Sequence, residues 1–67
     1  MNISVNDQPL SVADPCSVLA LVTQLFHDKH KGIAVSVNQH VIPKSGWELH
    51  ELQPGDSILI IKAPQGG

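Results

Sequence analysis

The amino-acid sequence predicts an α+β fold, a mixed sheet of about four to five strands with one crossover helix on one face. Two observations lead to this prediction. Segments on both sides of residues 17–30 have the apolar alternation or the continuous apolar run of β-strands. Residues 17–30 instead have the apolar spacing of one helical face. One helix and one small sheet account for nearly the whole chain.

The chain opens with a predicted β-hairpin. Apolar side chains occupy alternate positions over residues 1–5 and again over residues 10–12. Residues 6–9 between them are Asn, Asp, Gln and Pro, which favour turns. Asp14-Pro15 then interrupts the second strand.

The helix is predicted from about Val18 to about His30. Ser17 stands at the N-cap position, where its hydroxyl can accept a hydrogen bond from a free backbone N–H. Gly32 follows the helix and easily adopts the left-handed conformation that ends helices. The apolar face consists of Val18, Leu21, Val22, Leu25 and Phe26.

Strands follow the helix. Residues 33–37 alternate and form a strand, and Asn38-Gln39 form a tight turn after it. Residues 41–43 allow a brief edge strand, residues 53–56 form a turn, and residues 57–62 form the last strand. Trp47 is expected to pack inward with Leu49 or Leu52. A hairpin, a crossover helix and further strands are the arrangement of the β-grasp fold, with the first and last strands side by side in the middle.

Length and composition favour a carrier or a binding module over an enzyme. The chain has 67 residues, which predicts one domain, 1–67, with little room for a deep catalytic cleft. A net charge of −2 without a basic block argues against nucleic-acid binding, and no apolar run suits a membrane span. Neither a signal-peptide pattern nor a disulfide partner for Cys16 is evident, so we expect a cytoplasmic protein.

The C-terminal residues are the candidate reactive group. Residues 64–67 read Pro-Gln-Gly-Gly and are expected to form a flexible tail. Because Gly66 and Gly67 lack side chains, the final carboxylate could enter a slot too narrow for other residues. The alternative is an ordinary frayed end of small residues.

Six motifs together make the sequence resemble the ThiS-type sulfur carriers of thiamine biosynthesis, which are ubiquitin-like β-grasp proteins. The resemblance covers nearly the whole chain. At the position of Lys44 the family usually has Arg, so the charge is kept but the planar fork is lost. The motifs are Met1-Asn2-Ile3, Val35-Ser36-Val37-Asn38, Val41-Ile42-Pro43-Lys44, Trp47, Leu52-Gln53-Pro54-Gly55-Asp56 and Gly66-Gly67.

The resemblance implies that this chain is a carrier and not an enzyme. An adenylyltransferase of the ubiquitin-activating type would use ATP to adenylate the Gly67 carboxylate, with Gly66 as the slim approach. A sulfur donor protein would then convert the terminus to a thiocarboxylate, and thiazole synthase would accept the sulfur. The chain itself would bind no cofactor and no metal, and the ATP would belong to the activating enzyme.

A partner-docking surface is predicted on the last strand. Ile58 and Ile60 are expected to face the helix, which leaves Leu59 and Ile61 on the uncovered side of the sheet. An exposed apolar pair beside the tail suggests a docking site. The alternative is that Leu59 and Ile61 are simply exposed, as many apolar side chains are.

The other potentially reactive side chains are weaker candidates for a functional site. Cys16 beside a helix start could be a reactive thiol, but a small space-filling side chain is favoured. His27 and His30 give only two metal ligands, and His40 and His50 are expected at the surface. Asp56 is interpreted as a turn carboxylate.

Three alternative functions remain open at this point. The small subunit of molybdopterin synthase uses the same terminal chemistry, although that family is typically longer. A ubiquitin-like protein modifier would instead join Gly67 to a lysine of a target protein. A plain binding domain would use the sheet face and have an inert tail.

Overall fold

The structure is a computed structural model that describes residues 1–63. It contains five strands, one α-helix and one short 3₁₀ helix within this range. The elements are β1 (Asn2–Val5), β2 (Gln8–Ser11), α1 (Val18–Phe26), β3 (Ile33–Val37), β4 (His40–Ile42), the 3₁₀ helix (Lys44–Gly46) and β5 (Ser57–Lys62).

The strands form one mixed sheet in the order β2-β1-β5-β3-β4. β1 and β5, the first and last strands, pair in parallel next to each other, as the sequence predicted. The pairs β1–β2, β3–β4 and β3–β5 are antiparallel. The short strand β4 lies at an edge, where its neighbour Pro43 costs no ladder hydrogen bond. The α+β prediction of a mixed sheet with one crossover helix is confirmed.

The hydrophobic core lies between α1 and one face of the sheet. Val18, Leu21 and Val22 are the buried residues of the helix. Trp47 is almost fully buried, and its indole Nε1 donates to the carbonyl of Ile42 at 2.9 Å. Of the two leucines considered from the sequence, Leu52 is buried. Leu49 is 84% exposed.

Ser17 caps the start of α1, as predicted. Its side-chain oxygen accepts a hydrogen bond from the backbone N–H of Ala20 at 3.0 Å. The two preceding amides donate to the loop before β5: Val18 to the carbonyl of His50 at 2.9 Å, and Leu19 to that of Trp47 at 3.0 Å. The first amides of the helix therefore all have partners within the domain.

The end of α1 differs from the prediction. The helix stops at Phe26 and not near His30, because His27 takes a positive φ of 59°. The His30 ring contacts the carbonyl of His27 and, at 3.4 Å, the hydroxyl of Thr23. A side chain thus bonds a carbonyl that helix termination leaves open, which competes with another helical turn. Gly32 also has a positive φ, 77°, but it lies just before β3.

Two tight turns begin with asparagine. The β1–β2 turn has φ values of 51° at Asn6 and 66° at Asp7. The β3–β4 turn has φ values of 50° at Asn38 and 72° at Gln39. Two successive positive φ angles are typical of type I′ hairpin turns, for which asparagine is favoured. Both turns lie beside β5, which brings their side chains next to its backbone.

Candidate functional site

The side chains of β5 alternate between the core and the uncovered side of the sheet. Ile58 and Ile60 are buried. Leu59 and Ile61 face the other way and are 50% and 56% exposed. Lys62 returns to the helix side, where its ammonium lies 5.8 Å from the centre of the Phe26 ring. The structure therefore places Leu59 and Ile61 on the side away from α1, although their docking role stays a prediction.

A third exposed apolar side chain lies on the same side of the sheet. In the antiparallel register Ser36 is the partner of both Leu59 and Val41, so these side chains form one row across β5, β3 and β4. Val41 is 75% exposed. Sequence reasoning missed Val41 because a three-residue edge strand is too short for alternation to identify its outward face. The small residue Ala34 stands opposite Ile61.

The strand side chains on this side of the sheet carry no charge. We call this surface, within the described residues, the open face. Charged residues are depleted at the centres of protein interfaces, so an uncharged surface with exposed aliphatic side chains is suited to a partner protein. Its members are Asn2, Ser4, Pro9, Ser11, Ala34, Ser36, Val41, Ser57, Leu59 and Ile61.

An open depression of about 460 Å³ lies on the open face between the two asparagine turns. Its apolar part is formed by Leu59, Val41 and Ile58, and its polar rim includes Asp7 and Gln39. The depression begins at the Ser57 end of β5 and reaches the middle of that strand. The depression has room for a protruding side chain of a partner protein.

Both asparagine turns hold β5 through side-chain amides. Asn38 Oδ1 accepts from the N–H of Ser57 at 3.0 Å, at the start of the strand. Asn6 Oδ1 accepts from the N–H of Ile60 at 2.8 Å, and Asn6 Nδ2 donates to the carbonyl of Ile60 at 3.2 Å. The β5 backbone is therefore held near both of its ends by turns from distant parts of the chain.

Asp56 is a structural carboxylate, in agreement with its interpretation as a turn residue. It is buried and precedes β5 directly. Its Oδ1 accepts from Asn38 Nδ2 at 3.0 Å, and its Oδ2 accepts from the backbone N–H of Gln53 at 2.8 Å. The carboxylate thus links the β3–β4 turn to the turn that leads into the last strand.

The described chain ends directly after β5. The N–H of Ala63 donates to the carbonyl of Gly32 at 2.8 Å, which continues the β3–β5 ladder to the last described residue. Residues 64–67, including the predicted reactive Gly67 and its neighbour Gly66, lie outside the described residues. Ala63, which we call the root of the predicted tail, is therefore held by Gly32 at the start of β3. It directly follows the strand that presents Leu59 and Ile61.

Cys16 and the histidines do not form a metal-binding cluster within the described residues. Cys16 is buried, its Sγ donates to the carbonyl of Ser17 at 3.5 Å, and desolvation raises the pKa of its thiol. His30 stacks edge-on against Trp47 with ring centres 6.1 Å apart. Residues 1–63 contain no group of three or more side chains able to hold a metal ion. In that range there is also no helix of the length and hydropathy needed to cross a membrane.

Comparisons with known proteins agree with this architecture. The ThiS family model matches residues 2–67. The chain is 36% identical to the sulfur carrier protein ThiS of Escherichia coli strain K12 over 67 residues, which are 100% of both chains. The crystal structure of a thiamine biosynthesis protein (ThiS) from Geobacter metallireducens superposes with a TM-score of 0.84 at 25% identity, covering 100% of both chains. A solution NMR structure of a thiamine biosynthesis protein from the same organism gives a TM-score of 0.82 at 25% identity and covers 100% of this chain and 88% of the other.

Proposed function

We propose, from the premise that the chain belongs to the ThiS family and is a sulfur carrier of thiamine biosynthesis, that its sulfur is carried on the carboxylate of Gly67. The observation that supports this most directly is the extent of the family match, which runs through Gly66 and Gly67 to the last residue of the sequence. The alignment with the Escherichia coli sulfur carrier likewise spans both chains entirely.

The chemistry requires an activating enzyme, because a carboxylate is a poor electrophile. An oxygen of the Gly67 carboxylate attacks the α-phosphorus of ATP, which releases pyrophosphate and leaves an acyl-adenylate. A sulfur donor protein then attacks the acyl carbon, and AMP departs with the electron pair of the broken C–O bond. The donor group is a persulfide, so the first product is an acyl disulfide; a thiol then attacks the donor's sulfur, forms a disulfide with it and releases the terminus as a thiocarboxylate. The sulfur then passes to the acceptor on thiazole synthase, an oxygen atom from that acceptor or from water replaces it, and the carrier returns as the carboxylate.

The exposed surface of the described residues suits a protein substrate that partner enzymes bind. Leu59 and Ile61 are exposed on the same strand that leads to the tail, with Val41 beside Leu59. The strands of the open face carry no charged residue, so a partner that covers them desolvates no ionised strand side chain, and Asp7 lies at the rim of the depression. We infer that an adenylyltransferase of the ubiquitin-activating type docks on the open face and receives the tail.

The roles of the individual groups follow from this arrangement. ATP belongs to the activating enzyme, and the carrier contributes its terminal carboxylate and its surface. Gly66 gives the terminus a narrow approach, because a backbone without side chains can enter a closely fitting channel. No catalytic side chain is assigned to this chain, which acts as a protein co-substrate.

Intact-mass spectrometry of the protein from its native host tests the proposal. We expect a fraction of the chain to carry sulfur in place of one oxygen, with fragmentation locating the change at Gly67. A chain lacking Gly66 and Gly67 is the control and should carry no such change. Attachment of the chain to lysines of other proteins, without any sulfur exchange, would support a protein modifier instead.

A further inference from the structure

Asn6 is the residue that continues the pairing of β1 with β5 after β1 has ended. The backbone register between these strands covers only Ser4 with Ser57 and Val5 with Ile58. The backbone N–H of Asn6 still donates to the carbonyl of Ile58 at 2.9 Å. Beyond this point the chain turns away into β2, whereas β5 runs on to Lys62.

The side-chain amide of Asn6 takes the place of the missing strand. Its Oδ1 accepts from the N–H of Ile60 and its Nδ2 donates to the carbonyl of the same residue, at 2.8 and 3.2 Å. Both backbone groups of Ile60 on the β1 side are thereby satisfied by one side chain 54 positions away. A primary amide has the donor and acceptor arrangement of a peptide group, which makes this substitution possible.

Ile60 stands between Leu59 and Ile61, the two exposed aliphatic residues of β5. The buried side chain of Ile60 and the Asn6 amide therefore fix the backbone conformation that directs Leu59 and Ile61 toward the open face. The same segment is the last part of the chain before the tail. We propose that Asn6 is a positioning residue for activation of the terminus: it holds the docking pair and the root of the tail in one fixed relation.

This inference rests on the proposed function, since it concerns how the activating enzyme meets the open face and the Gly67 carboxylate together. A partner that binds Leu59 and Ile61 finds Ala63, the residue before the tail, at a constant offset only if β5 does not twist between them. Proximity and orientation of this kind affect the chemical step as well as binding. Loss of the amide should thus alter both KM and kcat.

Asn38 provides a closely matched control. Like Asn6 it starts a tight turn, with φ of 50° against 51°, and its backbone N–H also donates to β5, at 2.8 Å to the carbonyl of Ser57. Its side chain, however, holds the start of the strand, away from the tail. Asn6→Gly and Asn38→Gly both keep a positive φ without strain and keep the backbone hydrogen bond. Asn6→Gly removes the side-chain bonds to Ile60, whereas Asn38→Gly removes the bond to Ser57 and also the donor to Asp56.

The experiment measures adenylation of the wild-type chain, Asn6→Gly and Asn38→Gly by the activating enzyme at a temperature where circular dichroism shows all three folded. For Asn6→Gly we expect KM for the carrier to rise and kcat to fall, each by roughly 3- to 10-fold, the scale of one or two hydrogen bonds. Asn38→Gly should stay within about 2-fold of wild type, because the strand beyond Ile58 keeps its clamp. Asn6→Asp retains the acceptor for the Ile60 N–H but sets a carboxylate oxygen against the Ile60 carbonyl, so it should not restore the wild-type kinetics.

Amide hydrogen exchange gives a second readout that needs no partner. In Asn6→Gly the Ile60 amide should exchange at least about 10-fold faster, while the Leu59 and Ile61 amides, which face β3, stay protected. Equal kinetics for Asn6→Gly and Asn38→Gly, or an unchanged Ile60 amide, would overturn the role of Asn6 and leave the proposed function intact. Failure of the wild-type chain to be adenylated would overturn the proposed function, and this inference with it.

Discussion

Asn38 Nδ2 donates a 3.0 Å hydrogen bond to Oδ1 of the buried carboxylate of Asp56. The same carboxylate accepts from the N–H of Gln53, so one side chain joins the β3–β4 turn to the turn before β5. The strand that presents Leu59 and Ile61 therefore starts from a fixed point. A buried carboxylate with these partners serves stability, and its removal leaves donors unsatisfied.

Asp56→Ala should destabilise the fold by about 1–3 kcal/mol, because the Asn38 amide and the Gln53 N–H lose their acceptor in a partly buried place. Urea unfolding followed by Trp47 fluorescence measures this, since the indole is almost fully buried in the native state. Asp14→Ala, at an exposed carboxylate, is the control and should change the free energy of unfolding by less than about 0.5 kcal/mol. Equal stability of the two variants would show that the Asp56 network contributes nothing.

Leu59→Asp and Ile61→Asp should weaken adenylation while leaving the fold intact. Both side chains are half exposed, so the charge costs little in the free protein but must be desolvated when a partner covers it. We expect KM for the carrier to rise at least about 10-fold, with Val41→Asp giving a smaller rise. Leu49→Asp, at an apolar side chain that is 84% exposed and lies outside the sheet, is the matched control. A similar KM for Leu59→Asp and Leu49→Asp would contradict docking on the open face.

Ser17→Ala should cost about 1 kcal/mol of stability through loss of the helix cap. The Ala20 N–H would lose its side-chain acceptor, while the Val18 and Leu19 amides keep their loop carbonyls. Ser17→Asp should recover most of the loss, because an aspartate oxygen also caps a helix start. Thermal unfolding measures both effects. A Ser17→Ala variant as stable as the wild-type chain would show that the loop carbonyls alone set the helix start.

Cys16 should react slowly with thiol reagents in the native protein. Burial raises the pKa of its thiol, so the thiolate that attacks such reagents is scarce at neutral pH. Because the folded pKa lies above the unfolded value, folding gains stability from the protonated thiol at lower pH. That gain is lost as the pH rises through the folded pKa. Stability should therefore fall more steeply at alkaline pH in the wild-type chain than in Cys16→Ala. Rapid native labelling at pH 7 would contradict this account.

Local sequence patterns predicted most of the fold. Alternation identified the strands, the Ser17 cap marked the start of α1, and the order of elements led to the β-grasp arrangement. The end of the helix was not predictable, because the pattern pointed to Gly32, whereas His27 takes the positive φ and the His30 ring bonds its carbonyl. That competition depends on side-chain geometry and not on residue type.

The candidate site was only partly visible in the sequence. Strand alternation predicted the outward direction of Leu59 and Ile61, but Val41 became part of the open face only through the register across Ser36. Asn6 and Asn38 were identified as turn residues from their neighbours. Their bonds to Ile60 and Ser57 join positions far apart in sequence, which no local pattern contains. The prediction that Gly67 is the reactive residue came from the family resemblance and from the lack of side chains at residues 66–67.

Adenylation of the purified chain by its activating enzyme, with ATP and magnesium, tests the central claim most directly. We expect intact-mass spectrometry to show AMP joined to the chain, fragmentation to locate it on the Gly67 carboxylate, and a chain lacking Gly67 to remain unmodified. A wild-type chain that stays unmodified while the enzyme activates another carrier, or AMP found on any other residue, would contradict the claim.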